Sequence, residues 1–194
     1  MKRKKIVLIS QDFYPMTGGI ANYLMNIYTL YLKNNCEFVA IVPKSIGRSS
    51  SYEKLPFKIK RVNFYPFNIE DQKRNKANEE IIEIVGEFKP DLILFGYLRS
   101  HPEIGEEYKK INPKSKFGIF IHAKEAFIDD CVVRINNFNG SHEGYTKKEA
   151  NFYKQIIEKA DFIFCVSKFS RSILKKQNIR GNFLVRSEER RVGK

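Results

Sequence analysis

Three short segments of the 194-residue chain hold residue types that could do chemistry. In Asp12-Phe13-Tyr14-Pro15-Met16-Thr17-Gly18-Gly19-Ile20, two adjacent glycines stand where a loop passes into a helical pattern. Glycine lets a backbone approach a ligand closely, and the free N–H groups of a helix start favour an anion. Spacing alone leaves a second reading open, a glycine turn that only reverses the chain. Neither the dinucleotide fingerprint Gly-x-Gly-x-x-Gly nor the phosphate loop Gly-x-x-x-x-Gly-Lys-Ser/Thr is present.

The second segment is Ile119-Phe120-Ile121-His122-Ala123-Lys124-Glu125, where an imidazole follows a buried-looking strand. There it could hydrogen-bond a ligand hydroxyl, or equally its own loop. The third is Cys165-Val166-Ser167-Lys168, in which Ser167 could touch a ligand but more simply caps a helix. No Gly-x-Ser-x-Gly nucleophile turn accompanies it. His101 and His142 sit in polar contexts and are expected at the surface, as are Asp129 and Asp130. A metal site is not expected: no two histidines are four apart, and His122 has only Glu125 nearby. Cys36, Cys131 and Cys165 are scattered, with no Cys-x-x-Cys pair, and read as reduced thiols.

These segments need elements to position them, and the hydrophobic pattern supplies alternating strands and helices. Residues 5–10, 38–42, 91–96, 116–121 and 161–166 are apolar without alternation, as in strands covered on both faces. Residues 59–64 alternate and predict a less buried strand, and residues 182–185 begin one more. Ile20, Tyr23, Leu24, Ile27, Leu30 and Tyr31 make one helical stripe ending near Asn34 and Asn35. Ile81, Ile84, Val85 and Phe88 make a second, closed by Lys89-Pro90. A third holds Phe152, Tyr153, Ile156, Ile157 and Ala160, and Ser167 opens a helix through about Gln177. The pattern predicts a single α/β domain: a Rossmann-like open parallel sheet with helices on both faces, binding ligands at the carboxyl ends of its strands.

Composition narrows the function classes. With 42% apolar residues, 11 Gly and 7 Pro the chain suits a globular protein. No apolar run approaches the ~20 residues of a membrane-spanning helix. Only four apolar residues follow Lys2-Arg3-Lys4-Lys5, so no signal peptide is read and a cytoplasmic location is expected. The net charge is +13, but lysine outnumbers arginine 24 to 11 and no stripe interleaves Arg with aromatics. Nucleic acid is therefore not an expected partner. An anionic membrane surface or a phosphorylated ligand remains compatible with the charge.

Four features together resemble family 4 (group 1) glycosyltransferases of GT-B fold, in their N-terminal acceptor-side domain. They are the opening strand leading to Pro15, Gly18-Gly19-Ile20 and Tyr23; the entry Lys89-Pro90-Asp91; the strand ending in His122; and Lys159-Ala160-Asp161-Phe162-Ile163-Phe164-Cys165-Val166-Ser167 before a helix. The resemblance covers roughly residues 4–185. It implies a retaining transfer of sugar from a nucleotide-sugar donor, itself a substrate, to a glycan or lipid-linked acceptor, without a bound metal or other cofactor. It implies Gly18 and Gly19 beside the donor diphosphate and His122, the catalytic candidate, near the donor sugar. Glu125 and Ser167 are further cleft candidates, and residues 123–149 would help form the acceptor side. Peripheral attachment to the anionic inner face of the membrane is compatible with the basic cluster Lys2 to Lys5.

The family's second domain, with its Glu-x₇-Glu pattern, is not in this sequence. The tail Arg-Ser-Glu-Glu-Arg-Arg-Val-Gly-Lys also departs from the preceding residues and resembles the translated reading of a sequencing-library adapter. Residues 1–185 are accordingly expected to be the domain of a truncated enzyme, inactive alone, and residues 186–194 non-native. A stand-alone binding or subunit protein of the same fold is the alternative.

Overall fold

The computed structural model describes residues 3–14, 16, 18–33, 35–44, 55–65, 72–122, 124–128 and 146–185. The loop 47–51, Asp129, Asp130, Cys131, His142 and the tail 186–194 lie outside the described residues. Seven strands form one parallel sheet: β1 (Lys4–Ile9), β2 (Cys36–Pro43), β3 (Lys58–Val62), β4 (Leu92–Phe95), β5 (Lys116–Ile121), β6 (Phe162–Cys165) and β7 (Phe183–Val185). Their order is β3-β2-β1-β4-β5-β6-β7, so the expected Rossmann-like α/β architecture is observed. By compactness the chain divides into two units, residues 1–118 and 119–194.

In the first unit, β1 pairs with β2 on one side (Ile6 opposite Phe38) and with β4 on the other (Val7 opposite Ile93). Val7, Ile9, Ile41, Val42 and Phe95 are all fully buried, which explains strands without alternation. β3 alternates exposed and half-buried residues because it is the edge strand. The Lys-Pro-Asp entry has a structural explanation. Lys89 ends helix α2 (Gln72–Phe88) with φ of 52°, and Asp91 then ties β4 to β1, accepting Lys5 N–H at 2.9 Å. This tie lies at the amino ends of the strands, away from any ligand crevice.

Two helices differ from the sequence expectation. Helix α1 (Gly19–Ile27) widens into a π-helical turn at Tyr28–Leu32, closed by Lys33 N–H donating to the Tyr28 carbonyl at 2.9 Å. An i→i+5 bond shifts the helical phase. Tyr28 faces the core one α-turn after Leu24, against Phe38 and Phe57 at ring separations of 4.9 and 4.4 Å, while Leu30 after the shift is 50% exposed. Helix α3 (Glu103–Ile111) was not expected at all. It holds Ile104 and Tyr108 in the core, and its Gly105 lies against Phe117 so closely that a Cβ would approach Phe117 Cγ to 2.5 Å.

In the second unit, β6 pairs with β7, Ile163 opposite Phe183, and Phe120 of β5 stacks on Phe164 at 4.8 Å. Helix α4 (Lys147–Lys159) starts earlier than its apolar stripe because Thr146 and Glu149 form a reciprocal capping box. It buries Tyr153, Ile156 and Ile157. Helix α5 (Lys168–Lys176) begins at the predicted Ser167 and ends at Gln177. Among the described residues no helix is long and apolar enough to cross a membrane.

Candidate functional site

The sheet order reverses between β1 and β4, and ligands of such sheets bind at the carboxyl ends flanking that reversal. Both loops concerned belong to the first unit. They approach closely: Gly96 N–H donates to the Ile9 carbonyl at 2.9 Å, and a Cβ on Gly96 would meet the Ser10 Cβ at 2.8 Å. Ser10 Oγ donates to the Asp12 carbonyl at 2.7 Å, and Ser100 Oγ accepts Gln11 N–H at 2.8 Å. Phe13 is fully buried and its carbonyl accepts Met16 N–H at 3.0 Å. The start of the glycine loop is thus pinned from several sides. Asp12 is carried within it, and burial raises its carboxyl above the usual carboxylate range.

Gly18 is the N-cap of α1, with φ −175° and ψ 160°, and no side chain caps the helix. That backbone is extended and open to any residue. Among the described residues, a Cβ at either Gly18 or Gly19 would meet nothing within 4 Å. Neither left-handed backbone at Gly18 nor close packing at either position requires glycine.

Behind the β4 loop lies a buried polar cluster that the sequence reading missed. His101, expected at the surface, is instead fully buried, with φ of 56°. Tyr65 N–H donates to its Nε2 at 3.2 Å, so Nδ1 carries the proton and donates to Asn78 Oδ1 at 2.5 Å. Asn78 Nδ2 and Arg74 Nε donate to Glu103 Oε1 at 3.1 and 2.9 Å, and Arg74 Nη1 donates to the Tyr65 carbonyl at 2.6 Å. The signal was in α2: Arg74 and Asn78 continue the buried row of Ala77, Ile81 and Val85. Polar residues on an apolar helix face mark a buried network.

Burial, with the Arg74 guanidinium beside it, pushes the His101 imidazole down to about 3. Unfolding frees this imidazole to take a proton near its ordinary 6.5. The stability it contributes is thus complete above pH 6.5 and is lost as pH falls from 6.5 towards 3. At its steepest the loss is about 1.4 kcal/mol per pH unit. Urea unfolding at pH 7 and 5 is expected to show this slope, and His101→Gln is expected to flatten it. An unchanged slope in the variant would assign the proton uptake elsewhere.

In the second unit, His122 directly follows β5. Its backbone N–H donates to Glu125 Oε2 at 3.0 Å, and its carbonyl accepts Ala126 N–H at 3.2 Å across a 3₁₀ turn, Lys124–Ala126. Glu125 is 1% exposed, so its carboxylate fixes the His122 backbone from inside. Ser167 Oγ accepts Ser170 N–H at 3.0 Å and caps α5. Gln177 Nε2, at the far end of α5, donates to the Ala126 carbonyl at 2.5 Å. The structure therefore gathers His122, Glu125 and the end of α5 around one short turn. Cys165 is buried, and desolvation pushes its thiol up to about 11, which removes it as a nucleophile. No group of three or more metal-ligating side chains occurs among the described residues.

No family model matches the chain, and no curated protein matches its sequence. Solved structures do. A sucrose-phosphate synthase from Thermosynechococcus elongatus superposes with a TM-score of 0.69 at 16% identity, over 95% of this chain and 48% of the other. The Anabaena protein HepE, solved with UDP and glucose, gives 0.61 at 13% identity over 95% and 44%. A UDP-glucosyltransferase from Polygonum tinctorium gives 0.61 at 9% identity over 96% and 52%. The chain shares the Rossmann-like α/β fold of these proteins. The chain spans about half the length of each of these proteins.

Proposed function

We propose that this chain is the acceptor-side domain of a retaining family 4 glycosyltransferase, working in the cytoplasm with a nucleotide-sugar donor and a glycan or lipid-linked acceptor. The observation that carries the reading is the uncrowded pair Gly18-Gly19 at the uncapped start of α1. An α-helix start offers unpaired N–H groups and the positive end of the dipole, which suit a diphosphate. Glycine there lets phosphate oxygens reach the backbone. The nucleotide-sugar neighbours in fold agree with this ligand class.

In the transfer, the bond from the anomeric carbon to the diphosphate breaks and a bond to the acceptor oxygen forms on the same face. The acceptor proton passes to the departing phosphate. Charge grows on that phosphate, so backbone donors placed in advance matter more than a strong base. His122 meets a donor-sugar hydroxyl, and Glu125 acts through it by fixing its backbone. Ser167 keeps its cap and only borders the ligand. No metal takes part.

The test uses the gene product read through its uninterrupted downstream frame, since this chain spans half of its fold neighbours. Incubated with common nucleotide sugars and a mixed glycan or lipid-linked acceptor pool, it is expected to form product with the donor's anomeric configuration. Product of inverted configuration, or nucleoside diphosphate released only by hydrolysis, would overturn the reading.

A further inference from the structure

We propose that Ser100 and His101 are positioning residues for sugar transfer: they fix the start of the glycine loop and, through it, the Gly18-Gly19 pair. The inference rests on the proposed donor site at the start of α1 and deepens it. The two residues are neighbours in sequence but hold opposite sides of the β4 turn. Ser100, fully buried, accepts Gln11 N–H on its Oγ at 2.8 Å. His101, equally buried, sends its imidazole the other way. There it meets Asn78 Oδ1 at 2.5 Å and Tyr65 N–H at 3.2 Å, with the Phe64 ring edge-on at 5.1 Å.

Adjacent side chains can part in this way because His101 has a φ of 56°. Left-handed backbone at a bulky residue is strained, and it persists only where its surroundings over-determine it. Both ring nitrogens of His101 are bonded, and its carbonyl accepts Ile104 N–H at 3.1 Å. Asn78 is itself held, donating to Glu103 Oε1 at 3.1 Å. An apolar side chain on ordinary backbone would fill such a space without strain, so stability alone does not explain the arrangement. A bonded polar side chain in the interior accepts one geometry, and that specificity is what a positioning device needs.

The chain on either side of the Gln11–Ser100 bond is stiff. Gly96 N–H donates to the Ile9 carbonyl at 2.9 Å and Ser100 N–H to the Tyr97 carbonyl at 3.0 Å, so Ser100 moves with the sheet. Beyond Gln11, Ser10 Oγ holds the Asp12 carbonyl at 2.7 Å, and the buried Phe13 ring lies 5.9 Å from Phe57. The Phe13 carbonyl accepts Met16 N–H at 3.0 Å, and the Gly18 carbonyl accepts Asn22 N–H at 3.0 Å as α1 begins. A displacement at Gln11 is therefore carried towards the helix start. About 1 Å of misplacement at reacting groups lowers a rate by up to about 100-fold.

The test takes the gene product read through its downstream frame and measures deuterium uptake at Gln11 beside sugar transfer. Ser100→Ala deletes the acceptor for Gln11 N–H, and Gln11 is exposed to water, so circular dichroism should show the fold intact. Uptake at Gln11 is expected to rise. The rate at saturating donor is expected to fall by about 10- to 100-fold, with the acceptor KM unchanged. His101→Asn tolerates the left-handed backbone but is too short to bond both Asn78 and Tyr65, and should give the same two changes. Ser100→Ala/His101→Asn should lose no more than the worse single variant, because both act through one bond. Unchanged transfer in Ser100→Ala despite faster uptake would overturn the proposal. So would lost transfer without a change in uptake, or losses that multiply in the double variant. Each of these leaves the donor-site reading standing, whereas a wild type that transfers no sugar from any nucleotide sugar would overturn both.

Discussion

Arg74→Met is expected to destabilise the protein by about 3–5 kcal/mol, the usual effect of removing one partner from a buried ion pair. The Arg74 side chain is 4% exposed and that of Glu103 is 12% exposed, with Nη2 to Oε1 at 2.6 Å. Removing the guanidinium leaves the Glu103 carboxylate with the Asn78 amide as its remaining donor from the cluster, and takes the Nη1 donor from the Tyr65 carbonyl. Neither deficit can be repaired by water while the α2 and α3 surfaces stay packed. Arg74→Met/Glu103→Leu should recover part of the loss, because it removes the stranded charge along with its partner. The exposed pair Lys4–Asp91, at 73% and 46% exposure, sets the contrast: Lys4→Gln should cost under about 1 kcal/mol. Urea unfolding of the three variants at pH 7 measures all of this. A loss below about 1 kcal/mol for Arg74→Met would mean that solvent already reaches the pair.

That cluster also shows where sequence reading stops. Uninterrupted runs such as Val7 to Ile9 announce strands covered on both faces, because burial on two sides removes alternation. Ser167 announces its helix because capping is local chemistry, and the Thr146–Glu149 box was equally readable, its Thr six residues before the apolar stripe of α4. Helix α3 was not legible. Its nine residues include only Ile104, Tyr108 and Ile111 as large apolar side chains, and Ile111 is 66% exposed. The π-helical turn escaped because a single i→i+5 bond rotates everything after it, which no fixed 3.6 period anticipates. His101 looked like a surface residue because Arg99, Ser100 and Pro102 surround it in sequence. Its burial comes from α2, twenty-three residues upstream, and from Tyr65 beyond that. At the candidate site the glycine pair was visible but its meaning was not. The space around Gly18 and Gly19 is a property of the fold that no spacing in the sequence reports. Glu125 was visible three residues from His122, as a poor metal partner and, through the resemblance, as a cleft candidate; its role as acceptor for the His122 N–H required coordinates.

Gly19→Val is expected to lower sugar transfer by the gene product read through its downstream frame at least about 100-fold, while changing unfolding free energy by under about 1 kcal/mol. The two halves of this expectation come from the same geometry. Among the described residues a Cβ at position 19 meets no atom within 4 Å, so the branch point of the valine side chain is accommodated without a clash. Valine is also a better helix residue than glycine, which offsets its stiffness at the first turn of α1. The space that welcomes the side chain is, on the proposed function, the space of the donor phosphates. Displacing a diphosphate by about 1 Å moves the anomeric carbon out of line with the acceptor and costs about 100-fold in rate. Gly19→Ala adds one methyl group to the same space and should fall between wild type and valine. The loss should appear both as weaker binding of nucleoside diphosphate and as a lower rate at saturating donor, since both need the backbone N–H groups within hydrogen-bonding reach. Full turnover by a stably folded valine variant would remove the helix start from the donor site.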